Sequence, residues 1–199
     1  MDKELFNFNK NALQGVITNP LCAEYRADWR KCGDDCRKLT DLLLGQQALP
    51  YFTQHCYKGV GVSKKYMLDK FADYINGKYR ALNVDGVEGE YYSSLYITDK
   101  TVHDLADDVT CFMWSDVPMV EIKPTKAIKL YVACKSEVNL FCGGYNSIVI
   151  MLFDESKVNL CYVDEESTVT VYKYSDKASV SEGALCFNEP KVFNKELRL

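Results

Sequence analysis

No basic tract runs through this chain. Its 24 lysines and arginines are spread along the sequence and are outnumbered by 28 acidic residues, for a formal net charge of −4. That excludes the cationic stripe that follows a phosphate backbone, and the imbalance is too small for a DNA mimic, so charge gives no strong nucleic-acid signal and does not choose a partner. Long apolar runs are missing as well. The longest, Ile148 to Phe153, is far too short to span a bilayer. The opening Met1-Asp2-Lys3-Glu4 lacks the apolar core of a secretion signal. A soluble cytoplasmic protein is therefore expected, in the host-cell cytoplasm if the chain is viral. There are only two histidines, and nine cysteines make an odd, scattered set without a disulfide framework. Reduced, mostly buried thiols are the expectation. No internal repeat and no low-complexity segment is read from the sequence.

What is present suits a globular domain. The 199 residues are 47% apolar and 26% charged, and 14 of them are tyrosine. That length is enough to bury a hydrophobic core. The spacing of apolar residues predicts helices in the first third: a short one over Ala23 to Arg30, one from Asp34 or Asp35 to Gly45, and the clearest over Ser63 to Ile75. Ser63 is its N-cap, and Met67, Leu68, Phe71, Tyr74 and Ile75 form its apolar stripe. From Lys78 onward alternation takes over. It predicts strands at Tyr79–Val84, Glu90–Ile97, Thr110–Trp114, Val120–Lys123, Ile128–Ala133, Glu137–Phe141, Asn146–Phe153, Val158–Val163 and Thr168–Tyr174. One helix, Asp99 to Asp107 with Thr98 as its cap, is expected among them. The polar tetrads Asp154–Lys157 and Asp164–Ser167 read as turns of a meander.

Because long helices do not separate these strands, antiparallel pairing is expected. The fold class is then α+β, with N-terminal helices packed on a largely antiparallel, split sheet. The expected organisation is a helical region at 1–77, a β-rich core at 78–175 and a tail at 176–199, within a single domain.

Several chemical constellations can be weighed. Cys32 and Cys36, followed by His55-Cys56, give a loose zinc-ligand spacing, but adjacent side chains diverge and no metal is expected. Cys56 and His103 lack any local nucleophile–base signature. Gly59-Val60-Gly61 is short of a dinucleotide fingerprint, and Gly86-Val87-Glu88-Gly89 reads as a hairpin turn.

A fourth set is more specific. Tyr79-Arg80 opens the first strand, Tyr96-Ile97-Thr98 ends the second, and Glu137-Val138-Asn139-Leu140-Phe141-Cys142-Gly143 starts a later one. Here the chain resembles the mono-ADP-ribosyltransferases of the Arg–Ser–Glu class, including the small phage enzymes, over roughly residues 63–175. The resemblance implies NAD as cofactor and Glu137 as the catalytic carboxylate, steadying an oxocarbenium-like sugar. It implies Arg80 on the pyrophosphate or ribose, Thr98 orienting Glu137, and Tyr145 or Tyr131 against nicotinamide. Lys135 stands at the acceptor-facing position, where the family carries Glu or Gln. The function expected on this basis is ADP-ribosyl transfer to a host macromolecule. The alternative is a non-enzymatic phage or viral accessory protein that binds and inhibits a host protein partner, with a degenerate transferase fold as a further option.

Overall fold

The computed structural model describes residues 3–7, 23–35, 38–39, 42, 56, 58–59, 61–72, 75, 77–81, 91–105 and 108–195. Among the described residues, helices α1 (Ala23–Cys32) and α2 (Lys64–Lys70) precede twelve strands. These are β1 (Gly77–Ala81), β2 (Tyr91–Tyr96), β3 (Val102–Leu105), β4 (Val109–Met113), β5 (Asp116–Ile122), β6 (Ala127–Ala133), β7 (Glu137–Cys142), β8 (Ser147–Leu152), β9 (Lys157–Val163), β10 (Thr168–Lys173), β11 (Ser179–Cys186) and β12 (Lys191–Asn194).

The strands form a parallel β-solenoid of about five turns. From β2 on, even-numbered strands build one sheet and odd-numbered strands the other: β1-β2-β4-β6-β8-β10-β12 and β11-β9-β7-β5-β3. Every pairing is parallel except β1 with β2. The expected antiparallel α+β sheet is thus corrected. A parallel pair needs a long connection between its strands, usually a helix. Here the connection is a strand of the opposite sheet. Consecutive strands never pair after β2. Each pairs with the strand two further on, so short links are compatible with parallel order. The tetrads Asp154–Lys157 and Asp164–Ser167 are corners between sheets, not hairpin turns.

The residues that alternate inward fill the space between the sheets. Ile128, Leu130 and Val132 of β6 stack on Ile148, Ile150 and Leu152 of β8, facing Val138 and Leu140 of β7 and Val158 and Leu160 of β9. Full burial of each such side chain contributes about 1.5–3 kcal/mol. The even-numbered sheet is covered on its outer face too. Cys111, Met113, Ala133, Met151 and Phe153 lie against Trp29, Leu39, Tyr66, Met67 and Phe71 of the N-terminal region. β4 is consequently buried at every position, as expected of a parallel strand covered on both faces. The expected helix after Ser63 is present as α2, with the Ser63 hydroxyl accepting from the Tyr66 N–H at 3.2 Å.

The corners carry the repeat that the sequence reading missed. The Thr98 N–H donates to Ser115 Oγ at 3.0 Å, the Ser115 N–H to Ser136 Oγ at 3.1 Å, and the Ser136 N–H to Ser156 Oγ at 3.0 Å. At the opposite corner the Lys126 N–H donates to Asn146 Oδ1 at 2.9 Å and the Asn146 N–H to Ser167 Oγ at 3.2 Å. The successive steps are 21 and 20 residues along the chain. Ser115, Ser136, Asn146, Ser156 and Ser167 are all buried, so these bonds satisfy backbone groups that water does not reach. Before three of the serines the chain turns through positive φ, at Trp114, at Cys134 and Lys135, and at Asp154.

The helix expected over Asp99 to Asp107 is also corrected. Val102 and Leu105 have helical spacing, but they are the two inward residues of β3, where a register shift falls between them. The Thr98 hydroxyl accepts from the Lys100 N–H at 3.1 Å in a local turn. Gly86, Cys36, His55 and Tyr74 lie outside the described residues. Among the described residues no helix is long and apolar enough to cross a membrane.

Candidate functional site

The solenoid disperses most of the residues that the resemblance grouped. Glu137 begins β7 and faces outward, since Val138 points into the core. Its Oε2 lies 3.3 Å from Lys157 Nζ, and its Oε1 accepts from Asn159 Nδ2 at 3.2 Å. Lys135, with φ 60°, sits at the adjoining corner, its Nζ 3.3 Å from Glu155 Oε2. Thr98 occupies the same corner two coils away. The Asp116 N–H donates to the Thr98 carbonyl and the Glu137 N–H to the Ser115 carbonyl. Coils stack at the interstrand spacing, so Thr98 and Glu137 are separated by about 10 Å. The Thr98 hydroxyl therefore does not orient Glu137.

Arg80 and Tyr145 are elsewhere. Arg80 lies on β1 in the other sheet, its Cα paired with that of Tyr92. That places it toward the far end of β2 from Thr98, about 20 Å along the strand direction. Its side chain lies outside the described residues. Tyr145, 67% exposed, is at the corner beyond the far end of β7. Tyr131 is half-buried against Phe153 and the helical region, its pKa raised chiefly by burial. Among the described residues these positions are spread along the solenoid and do not meet at one point.

The segment that carries Glu137 belongs to the repeat. Glu137-Val138-Asn139-Leu140 is followed one coil later by Lys157-Val158-Asn159-Leu160, paired with it residue by residue. Val and Leu fill the core in both, and Asn faces out in both. The segment matching the transferase pattern is one copy of the coil strand.

The other candidates separate in the same way. Cys56 is buried between the N-terminal region and the even-numbered sheet, and burial pushes its thiol well above the ordinary range. His103 is exposed on the outer face of the odd-numbered sheet, its Nδ1 2.9 Å from Glu121 Oε2. The two lie on opposite sides of the solenoid. Among the described residues no group of three or more His, Cys, Asp and Glu side chains is placed to hold a metal ion.

Two surfaces were not anticipated. On the outer face of the odd-numbered sheet, Asn139 Nδ2 donates to the Pro118 carbonyl at 3.2 Å, Asn159 Nδ2 to Asn139 Oδ1 at 2.7 Å, and Ser181 Oγ to Asn159 Oδ1 at 2.7 Å. This polar ladder is satisfied within itself.

The last coil is different. β11 and β12 are the terminal strands of their sheets. The Phe187 N–H donates to the Val163 carbonyl and the Lys195 N–H to the Lys173 carbonyl, so each strand is bonded on one side. No strand among the described residues covers the other side. Val192 stands beside the buried Val171 and continues the core column, yet it is 43% exposed. Phe193 stacks on Tyr172 with centroids 5.5 Å apart, and Phe187 meets Tyr162 edge-on at 6.1 Å. Leu185, Phe187 and Phe193 are 53%, 60% and 46% exposed. The Tyr162 hydroxyl donates to Asp164 Oδ2 at 3.2 Å, a bond that raises its pKa.

No family model matches the chain. Comparisons with curated proteins and with solved structures likewise give no significant match.

Proposed function

We propose that the protein is a non-enzymatic binding protein that holds a protein partner on the last coil of its solenoid, whose outer edge no described strand covers. The observation that supports this is the distribution of exposed apolar groups. Of the seven large hydrophobic side chains exposed among the described residues, four lie within nine positions of the last coil: Leu185 on β11, Phe187 just beyond it, and Val192 and Phe193 on β12. These side chains sit on both sheets, and apolar groups exposed at an unpaired sheet end are a docking surface or an aggregation hazard that repeat proteins ordinarily cap. The polar ladder on the neighbouring face is hydrogen-bonded along its length through Asn139, Asn159 and Ser181.

The test uses immobilised full-length protein beside its L185D/F187D variant, each exposed to lysate of the cells that produce it. A partner retained by the native protein and lost by the variant is the expected result. Identical retained proteins overturn the proposal, as does NAD consumption that Glu137→Ala abolishes.

A further inference from the structure

The edge strand β12 has a pattern of its own. Thr170 pairs with Lys191, Val171 with Val192 and Tyr172 with Phe193. Val171 points into the core, so Val192 and Asn194 point inward. Lys191, Phe193 and Lys195 then share the outer face of the even-numbered sheet. Lys195 Nζ lies over the Tyr172 ring, 5.2 Å from its centroid, and Tyr172 also stacks with Phe193. Neither Lys191 nor Lys195 has an ion-pair partner among the described residues. The backbone alternates likewise. The Lys195 N–H turns back to the Lys173 carbonyl, so the amides of Val192 and Asn194, one position out of phase, point to the open side.

An added strand would therefore meet outward amides at Val192 and Asn194 and a cation–aromatic–cation row on its outer side. Cross-strand neighbours on one face contribute when charges are opposite and oppose pairing when they are alike. A second copy is the wrong occupant. Two β12 strands paired antiparallel about Phe193 would set Lys191 against Lys195 twice. The complementary occupant is an extended segment with carboxylates at alternate positions flanking an aromatic residue. Resting on the binding function proposed above, we infer that β12 accepts an acidic, aromatic-centred strand of a partner protein by β-augmentation.

The probe is a capped, fluorescently labelled peptide, Thr-Glu-Val-Tyr-Val-Glu-Thr, titrated against the full-length protein by anisotropy. Its controls are the same peptide with both glutamates replaced by lysine, and one with alternate backbone amides N-methylated. The expected outcome is salt-sensitive binding of the acidic peptide, roughly tenfold weaker for the lysine peptide and absent for the N-methylated one. Amide exchange at Val192 and Asn194 should slow on binding. The K191E/K195E variant should reverse the preference between the charged peptides. Both side chains lie on the surface, so the fold should tolerate the change, and circular dichroism checks that it does.

Equal binding of both charged peptides, binding of the N-methylated peptide, or protection confined to other strands overturns the inference. So does absence of binding, which would identify Lys191 and Lys195 as charges that merely keep an edge from pairing. If the L185D/F187D variant still loses its lysate partner in that case, the binding function stands and only the added strand is refuted.

Discussion

The Ser115 N–H donates to the hydroxyl of Ser136 across 3.1 Å, from one coil to the next. Both residues are buried, and the Ser136 hydroxyl itself donates to the Ala133 carbonyl at 2.6 Å. Removing that oxygen strands a backbone donor without water. Ser136→Ala should therefore cost about 1–3 kcal/mol, the penalty for a buried unsatisfied group. Urea denaturation measures it, and a loss under about 0.5 kcal/mol would place the corner's stability elsewhere.

Inward and outward positions on β7 should respond differently. Leu140 is fully buried, and Leu140→Ala should destabilise by about 2–5 kcal/mol through lost transfer energy and the cavity left behind. Glu137, half-exposed and paired with Lys157, should lose at most about 1 kcal/mol on substitution by Gln. Thermal melts of the two variants check the contrast.

Acid should weaken the corners. Hydrogen bonds from Lys177 and Lys135 hold Glu155 below its usual carboxylate range, and the Glu166 N–H leads in holding Asp164 there. A depressed folded pKa contributes stability that is complete above the unfolded value near pH ~4 and is lost as pH falls through the folded value. Asp154 acts in the opposite sense. Burial raises its pKa despite the bonds from Ser156 and Lys135, so protonation there favours the folded chain. Denaturation midpoints between pH 6 and pH ~2 should show a shallower acid decline for Asp164→Asn than for the native protein. An unchanged slope would exclude Asp164 as a contributor.

The thiols should divide by burial. Burial drives Cys56 and Cys134 well above the ordinary range and pushes Cys142 up to about 12. Alkylation requires thiolate and access. Iodoacetamide on the folded protein, read by mass spectrometry, should label the partly exposed Cys32 and Cys161 first. Cys56, Cys134 and Cys142 should be labelled only on unfolding.

Alternation and turn chemistry located most strands, because inward Val, Ile and Leu with outward polar residues is a local pattern. Thr168–Lys173, Ser147–Leu152 and Lys157–Val163 all lie where that pattern puts them. The repeat was also in the sequence. Ser115, Ser136 and Ser156 recur at steps of 21 and 20 residues, and Val-Asn-Leu recurs at 138–140 and 158–160. Those spacings signal a coil, but each serine taken alone resembles an ordinary turn residue.

For most strands, though not for β3, β11 or β12, the sequence by itself determined which residues are extended and which face each turns inward, because both follow from local chemistry with a period of two. Tertiary structure decided what each strand pairs with, and hence the function that can be argued. Strand direction depends on whether a short polar link returns the chain to the same sheet or carries it across the core, and residue alternation is identical in either case. The second path moved Arg80, Thr98, Glu137 and Tyr145 apart and left Lys191, Phe193 and Lys195 side by side on an edge that no described strand covers.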